Sequence, residues 1–110
     1  MLINIASDFS KYPAGRYPED GDQTGERFRK ELLEKYLTET KEIIEVNLDG
    51  AAGYPSSFLE EAFGGLVRCG GFSVDQLTKR LKITTTEARK TRYIEQIWQY
   101  IKEARATAIA

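Results

Sequence analysis

The stretch IIEVNLDGAAGYPSSFLEEAFGGLV, residues 43–67, carries the clearest fold signal in the chain. Apolar, largely β-branched residues alternate with other residues over 42–48, and this spacing of two predicts a central strand. Asp49-Gly50 predicts a turn, and beyond it the apolar residues recur at helical spacing. The stretch therefore predicts a strand, a glycine-rich turn and a helix that begins near Ser56 or Ser57.

The same reasoning, applied outward, predicts the other elements. An amphipathic helix is expected over 24–37 with Thr24 as its N-cap, and Gly70-Gly71 should end the helix that follows the serines. Residues 82–86 favour a strand because they are rich in β-branched residues, with a helix as the competing interpretation. The remaining predictions are a first strand over 2–5, a short helix over 73–81 and a last helix over 86–105. This order predicts an α/β (α+β) fold with about four helices packed against a small sheet.

A long loop at residues 7–22 separates the first predicted strand from the first long helix. It contains two prolines and two glycines, and loops of this length in compact domains are often functional. Arg16 and Tyr17 are its candidate partner contacts. Packing of the loop against the core is the alternative.

The size and composition of the chain predict one globular domain over residues 1–110. The sequence is 41% hydrophobic and 30% charged, within the range of folded proteins. Cys69 is the only cysteine, so no internal disulfide can form. No apolar run approaches the ~20 residues that a membrane-spanning helix needs. A cytoplasmic protein without a membrane partner is expected.

Charge is unevenly distributed along the chain. Residues 1–71 carry 8 basic and 13 acidic side chains, whereas residues 72–110 carry 8 basic and 4 acidic ones. Such a split is typical either of a basic nucleic-acid surface or of helices whose solvated faces differ in sign, and we favour the second interpretation.

Catalytic and cofactor chemistry finds little support in the composition. The chain has no histidine and one cysteine, which removes the commonest general base, most nucleophilic triads and a zinc site. Phosphate-binding glycine motifs are also absent, so no metal and no cofactor is expected. Glu60 and Glu61 would diverge on a helix and are expected to be solvated. An enzyme that uses a serine, Arg16 and Asp8 or Asp49 remains an alternative.

The serine pair at the predicted helix start has two interpretations. Free backbone N–H groups and the helix dipole make such a junction receptive to an anion, including a phosphate carried by Ser56 or Ser57. The alternative is a capping box, in which Ser57 and Glu60 satisfy each other's backbone donors.

Three motifs resemble a known family: GYPSSFLEEAFGGL at 53–66, AGR at 14–16 and TGERFR at 24–29. The resemblance, which runs from about residue 3 to residue 100, is to STAS-like proteins of bacteria and phages. STAS domains include the anti-sigma-factor antagonists, which bind a kinase-like anti-sigma factor and are switched off by phosphorylation of a junction serine. The resemblance implies that Ser56 or Ser57 is this serine.

The sequence differs from the antagonist pattern beside these serines, with Pro55 in place of an aspartate and Phe58 in place of a glycine. From the resemblance and from the lack of support for catalysis, we expect a non-catalytic regulatory or inhibitory module that binds a signalling, defence or kinase-like protein. Its candidate contacts are Tyr54, Ser56, Ser57, Phe58, Arg16 and Tyr17.

A DNA-binding module is the alternative function. Residues 73–97 have a spacing similar to helix-turn-helix, and the second helix would carry Arg89, Lys90 and Arg92. The acidic pI near 5.6 and the β-branched run at 83–86 argue against it.

Overall fold

Three parallel strands form one sheet in the computed structural model, which describes residues 1–104. The strands are β1 (Leu2–Asn4), β2 (Ile44–Asn47) and β3 (Leu81–Thr84), and their order in the sheet is the same as their order in the chain. Because parallel neighbours need a crossover, helical segments must join each strand to the next.

Five helices accompany the sheet within the described residues. They are α1 (Ile5–Asp8), α2 (25–39), α3 (56–68), α4 (Val74–Arg80) and α5 (Thr91–Glu103). Two short 3₁₀ turns cover Pro18–Asp20 and Ala88–Lys90. The predicted α/β class is confirmed. Four helices have seven or more residues, and the fifth, α1, is a single turn.

Local hydrogen bonds explain where several elements begin. Thr24 is the N-cap of α2, as predicted, and its side chain accepts a hydrogen bond from the Arg27 N–H at 3.4 Å. The first strand ends earlier than predicted because the Asn4 side chain accepts from Ser7 N–H at 2.8 Å and thereby starts α1 at Ile5. Side-chain caps therefore override the apolar pattern at this end of β1.

The β3–α5 region differs from its prediction by a few residues. The strand lies at 81–84 instead of 82–86, and α5 begins at Thr91 instead of near 86. Thr86 N–H donates to Asp49 in the loop after β2, which holds this segment out of the helix. The predicted helix end at Arg105 lies outside the described residues.

One face of the sheet is buried beneath the helices and the other is polar. Apolar side chains of all three strands point to the buried face, with Ile3, Val46 and Ile83 aligned in register. On the opposite face, Asn4 donates to Asn47 at 2.8 Å and Asn47 donates to Thr84 at 3.2 Å. Parallel sheets are usually covered on both sides, so this exposed polar face is unusual.

Candidate functional site

The carboxyl ends of the three strands bring three loops together, at residues 9–24, 48–55 and 85–90. We call these the carboxyl-edge loops. Ala52 N–H donates to the Lys11 carbonyl at 2.9 Å, which joins the first two. In open α/β sheets this edge is the usual place for a binding site.

Asp49 connects the second and third carboxyl-edge loops. Its carboxylate accepts hydrogen bonds from the Thr85 hydroxyl at 2.6 Å, the Thr86 hydroxyl at 2.7 Å and the Thr86 N–H at 2.9 Å. These bonds, that from the Thr85 hydroxyl foremost, lower the pKa of Asp49 to about 2. The carboxylate is therefore charged at neutral pH and holds the two loops in register.

Lys90 fixes the loop at 48–55 from the inside. Only 1% of the residue is exposed, and its ammonium donates to the Ala51 carbonyl at 2.6 Å, to the Leu48 carbonyl at 3.2 Å and to Glu87 at 3.0 Å. The Glu87 carboxylate also accepts from Gly50 N–H at 2.8 Å. The structure thus removes Lys90 from the predicted DNA-contacting surface, because its charge is satisfied within the core.

Tyr54 and Phe58, predicted as partner contacts, lie in the core. Tyr54 is 4% exposed, and its hydroxyl donates to the Leu48 carbonyl at 2.8 Å. Burial raises the pKa of Tyr54. Phe58 is fully buried, with its ring centroid 5.8 Å from that of Phe28 and 6.1 Å from that of Phe9. Both side chains therefore pack in the core next to the start of α3, and neither is accessible to a partner.

Ser56 and Ser57 form the exposed start of α3. The helix begins at Ser56 with Pro55 as its N-cap, and no side-chain hydrogen bond caps it. The predicted capping box between Ser57 and Glu60 is therefore wrong, because arginines occupy the Glu60 carboxylate instead. Ser56 is exposed and Ser57 is half-buried. The first backbone N–H groups of α3 thus lack a side-chain acceptor.

Six ionised side chains at the contact between α2 and α3 form what we call the arginine–glutamate cluster. Glu61 is 1% exposed and Arg29 is 2% exposed, so the prediction of a solvated Glu61 is wrong. The members of the cluster are Arg16, Arg29, Glu34, Glu60, Glu61 and Arg68.

The cluster is balanced in charge and well supplied with hydrogen bonds. Arg29 contacts the carboxylates of Glu61 and Glu34, the latter at 2.8 Å, and donates to the Glu61 carbonyl at 2.9 Å. Glu60 accepts from Arg68 at 2.6 Å and also from Arg16. Burial alone would raise the pKa of Glu60, but the hydrogen bonds from Arg68 and Arg16 lower it below its ordinary value. Glu60 therefore stays ionised at neutral pH.

Backbone geometry makes room for these side chains. Both helices are π-helical where they carry the cluster, at Arg29–Glu34 and Glu60–Gly64, and such wider turns are frequent at functional sites. A Cβ at Gly65 would overlap the Arg29 guanidinium, and a Cβ at Gly25 would lie 2.5 Å from the Phe58 carbonyl oxygen. The glycines at 25 and 64–65 are therefore the sequence signal that could have indicated a close polar contact between the helices.

Of the two loop residues predicted as partner contacts, Arg16 lies at the edge of the cluster. Arg16 binds Glu60 and Glu61, and 31% of its side chain remains exposed. Tyr17 is 43% exposed. Because Ser56 and Ser57 precede Glu60 by four and three residues, they lie on the same side of α3 as the carboxylate that Arg16 binds. The structure thus brings Arg16 towards the serine junction.

A pocket of about 390 Å³ lies between the loop at 48–55 and the start of α5. Ala52, Arg89, Lys90, Arg92 and Tyr93 line it. Hydrogen bonds from the Arg92 side chain and the Tyr54 backbone lower the pKa of Tyr93. Arg89 is largely exposed, and Arg92 is exposed as well.

The predicted helix-turn-helix does not form. Strand β3 lies between α4 and the turn that leads into α5, so residues 73–97 fold as helix, strand and helix. The capping box of Ser73 and Gln76 begins α4, and Leu81 pairs with Ile44 directly after it. Arg89 and Arg92 remain exposed, but the helix-turn-helix arrangement that would present them to DNA is not formed.

The three-strand parallel sheet, with a serine-bearing helix after its central strand, defines a small α/β domain in which this helix start is the candidate binding site. A family model described as a STAS-like domain of unknown function matches residues 24–89, more than half of the chain. The chain belongs to this family, as the sequence motifs indicated.

Comparison with the curated proteins and with the solved structures found no match. Within the described residues, no helix has the length and apolar character needed to cross a membrane.

Proposed function

We propose that the protein is a non-catalytic regulatory module that binds another protein through the start of α3. The proposed contact surface comprises Pro55, Ser56 and Ser57, together with Arg16 and Tyr17 of the loop at 9–24. The expected partner is a signalling or defence protein, with a kinase-like protein as the first candidate because of the relationship to STAS domains.

The observation that carries the proposal is an exposed, uncapped helix start that follows a loop held by several hydrogen bonds. No side chain caps α3, so its first N–H groups and the positive end of its dipole are free to meet an acidic group. The loop before it is held by Lys90, Asp49 and Tyr54, and a surface that is already ordered loses less entropy on binding. These features suit recognition of a protein surface.

A phosphate on Ser56 or Ser57 would change this surface strongly. It would add roughly −1.5 to −2 charges at a helix N-terminus, a position that favours negative charge. A partner that offers its own acidic group to the helix start would then be repelled. Phosphorylation is therefore proposed to release the partner.

The test compares three versions of the chain as bait in extracts of the native cell: the wild type, the Ser56→Asp, Ser57→Asp double variant, and Ser73→Asp. Ser73 is a matched control because it is also an exposed serine at a helix start, and aspartate is an equally good N-cap there. Bound proteins are identified, and the affinity of the purified pair is then measured by calorimetry.

We expect wild type and Ser73→Asp to hold the same protein with the same affinity and the folded double variant to lose it. Equal affinity for all three would overturn the role of the serines. Retention of duplex DNA alone, with an affinity that falls steeply with salt, would support the DNA-binding alternative instead.

A further inference from the structure

The outer side of α5 is a second candidate binding surface, because it combines half-buried apolar side chains with exposed charged ones. Its inner side is anchored, since Ile97 and Ile101 are fully buried in the core. On the outer side, Ile94 and Trp98 are only half-buried. They lie in a groove of about 520 Å³ lined by Ile94, Glu95, Trp98, Gln99, Lys102 and Glu103.

Two of the charges that line this groove form no ion pair within the described part of the chain, whereas the third, Glu103, accepts a hydrogen bond from Gln99 at 2.9 Å. Glu95 and Lys102 are both exposed, and neither takes part in any of the ion pairs among residues 1–104. They are seven residues apart, about 10 Å along a helix, and therefore lie on nearly the same side of it. Trp98 lies between them.

We propose that this groove binds a second copy of the same chain, with the two α5 helices antiparallel about a two-fold axis. If the axis passes between Trp98 and Gln99, Glu95 of one copy lies opposite Lys102 of the other. The symmetry repeats this pair at the other end, so two ion pairs flank the central tryptophans.

The pattern of charge selects a second copy over an unrelated partner. An isologous interface must be complementary to itself, and two opposite charges that lie at equal distances from the two-fold axis meet this condition. Opposite charges across an interface also fix orientation and register. Trp98 at the centre is the residue type that most often contributes binding energy at interfaces. This inference is independent of the proposed function of the serine junction.

The dimer should be weak. A 13-residue helix is about 20 Å long, and one helix pair covers less than the ~800 Å² per partner of a standard stable interface. We therefore expect a dissociation constant in the micromolar range or above, with an equilibrium that depends on salt concentration.

Sedimentation equilibrium of the full chain tests the proposal with charge reversals. Glu95→Lys and Lys102→Glu each place like charges opposite one another, so each variant alone should dimerise at least about tenfold more weakly than the wild type. An equimolar mixture of the two variants restores both opposite-charge pairs in the heterodimer. The mixture should associate within about threefold of the wild type, and Trp98→Ala should not dimerise.

Glu39→Lys and Lys79→Glu are the matched controls. Both positions are exposed, carry the same charges on other helices and take part in none of the ion pairs of the described residues. Circular dichroism verifies that every variant is folded. A wild type that stays monomeric at millimolar concentration would overturn the proposal, and so would a mixture that associates no better than its components.

Discussion

Asp49 shows how one side chain can hold two loops. Its three hydrogen bonds come from residues 36 and 37 positions later in the chain and favour the ionised form, so its pKa is about 2 in the folded protein. In an unfolded chain the pKa of an aspartate is about 3.9. Ionised Asp49 therefore stabilises the fold above about pH 4, and this contribution disappears as the pH falls towards 2.

Replacing Asp49 with asparagine should therefore destabilise the protein in a pH-dependent way. At pH 7 we expect a lower free energy of unfolding than in the wild type, and the difference should shrink progressively below about pH 4. Urea denaturation at several pH values measures it, with Asp75→Asn as an exposed control. A difference that is the same at pH 7 and pH 3 would show that the charge of Asp49 has no role.

The distance along the chain to a residue's partners determines whether its role could be predicted. The Thr24 cap was predictable because its partner, Arg27, is three residues away. Lys90 donates to carbonyls 39 and 42 positions earlier, and Arg29 contacts Glu61, 32 positions later. No local pattern contains such pairs, so both cations were expected on the surface or left without a role.

At the scale of elements, the contact between α2 and α3 depends on a close approach of their backbones. Alanine usually stabilises a helix relative to glycine by about 1 kcal/mol. At Gly25, however, the new Cβ would lie 2.5 Å from the Phe58 carbonyl oxygen and 3.1 Å from the Ala62 nitrogen.

Gly25→Ala should accordingly lower the free energy of unfolding by about 1–3 kcal/mol, because the two helices must move apart. Gly53→Ala is the control, since its Cβ would meet only the Tyr93 hydroxyl at 3.6 Å. Thermal and urea unfolding give the comparison. A Gly25→Ala variant as stable as the wild type would mean that the helices separate without cost.

The buried pair Arg29 and Glu61 should be strongly coupled. Removing one partner leaves the other charge buried with fewer partners, because Arg29 keeps Glu34 and Glu61 keeps Arg16 and Arg68. Arg29→Met and Glu61→Met are therefore each expected to cost up to about 3–5 kcal/mol. The double variant should cost less than the sum of the two by about 2 kcal/mol, because it removes both members of the buried pair. A double-mutant cycle by urea denaturation measures the coupling, and additive effects would contradict it.

Elements with strong periodicity were predictable, whereas their exact ends were not. The alternating residues of β2 and the apolar stripe of α3 come from burial on one side, and the sequence records this directly. Phe58 belongs to that stripe, so the same pattern indicates its burial, although its position beside the serines made it a candidate contact. The start of α5 depended on Asp49, which no pattern near residue 86 reveals.

At the scale of the whole molecule, Arg16 attaches the loop at 9–24 to α3. The loop also accepts hydrogen bonds from the start of α2, with Gly25 N–H donating to the Gly15 carbonyl and Glu26 N–H to the Arg16 carbonyl, each at 3.0 Å. These two amides therefore report whether the loop is closed.

Arg16→Gln should accelerate hydrogen exchange at the amides of Gly25 and Glu26 while the core strands exchange as before. Without the ion pairs of Arg16 with Glu60 and Glu61, the loop should open locally more often, while the rest of the fold keeps its contacts. Lys30→Gln is the control, because Lys30 forms an exposed ion pair with Glu26 in the same region and has no hydrogen bond to the loop among the described residues. Unchanged exchange at both amides would show that the backbone bonds alone keep the loop closed.

The fold class and the location of the serine junction were both predictable, because a strand, a turn and a helix in sequence already define such a junction. What surrounds the junction was not. Arg16 was a candidate for its loop position alone, and its two carboxylate partners were expected in solvent.

The agreement between strand order and chain order affects how the protein can fold during synthesis. β1 cannot pair until β2 has left the ribosome, since Leu2 is in register with Glu45, 43 residues later. After that step, β3 adds to the free edge of β2, and no strand has to be inserted between two that are already paired. The sheet can therefore grow in one direction as the chain emerges. If synthesis stalls after β2 has left the ribosome, β1 and β2 can already be paired while the other edge of β2 is still free.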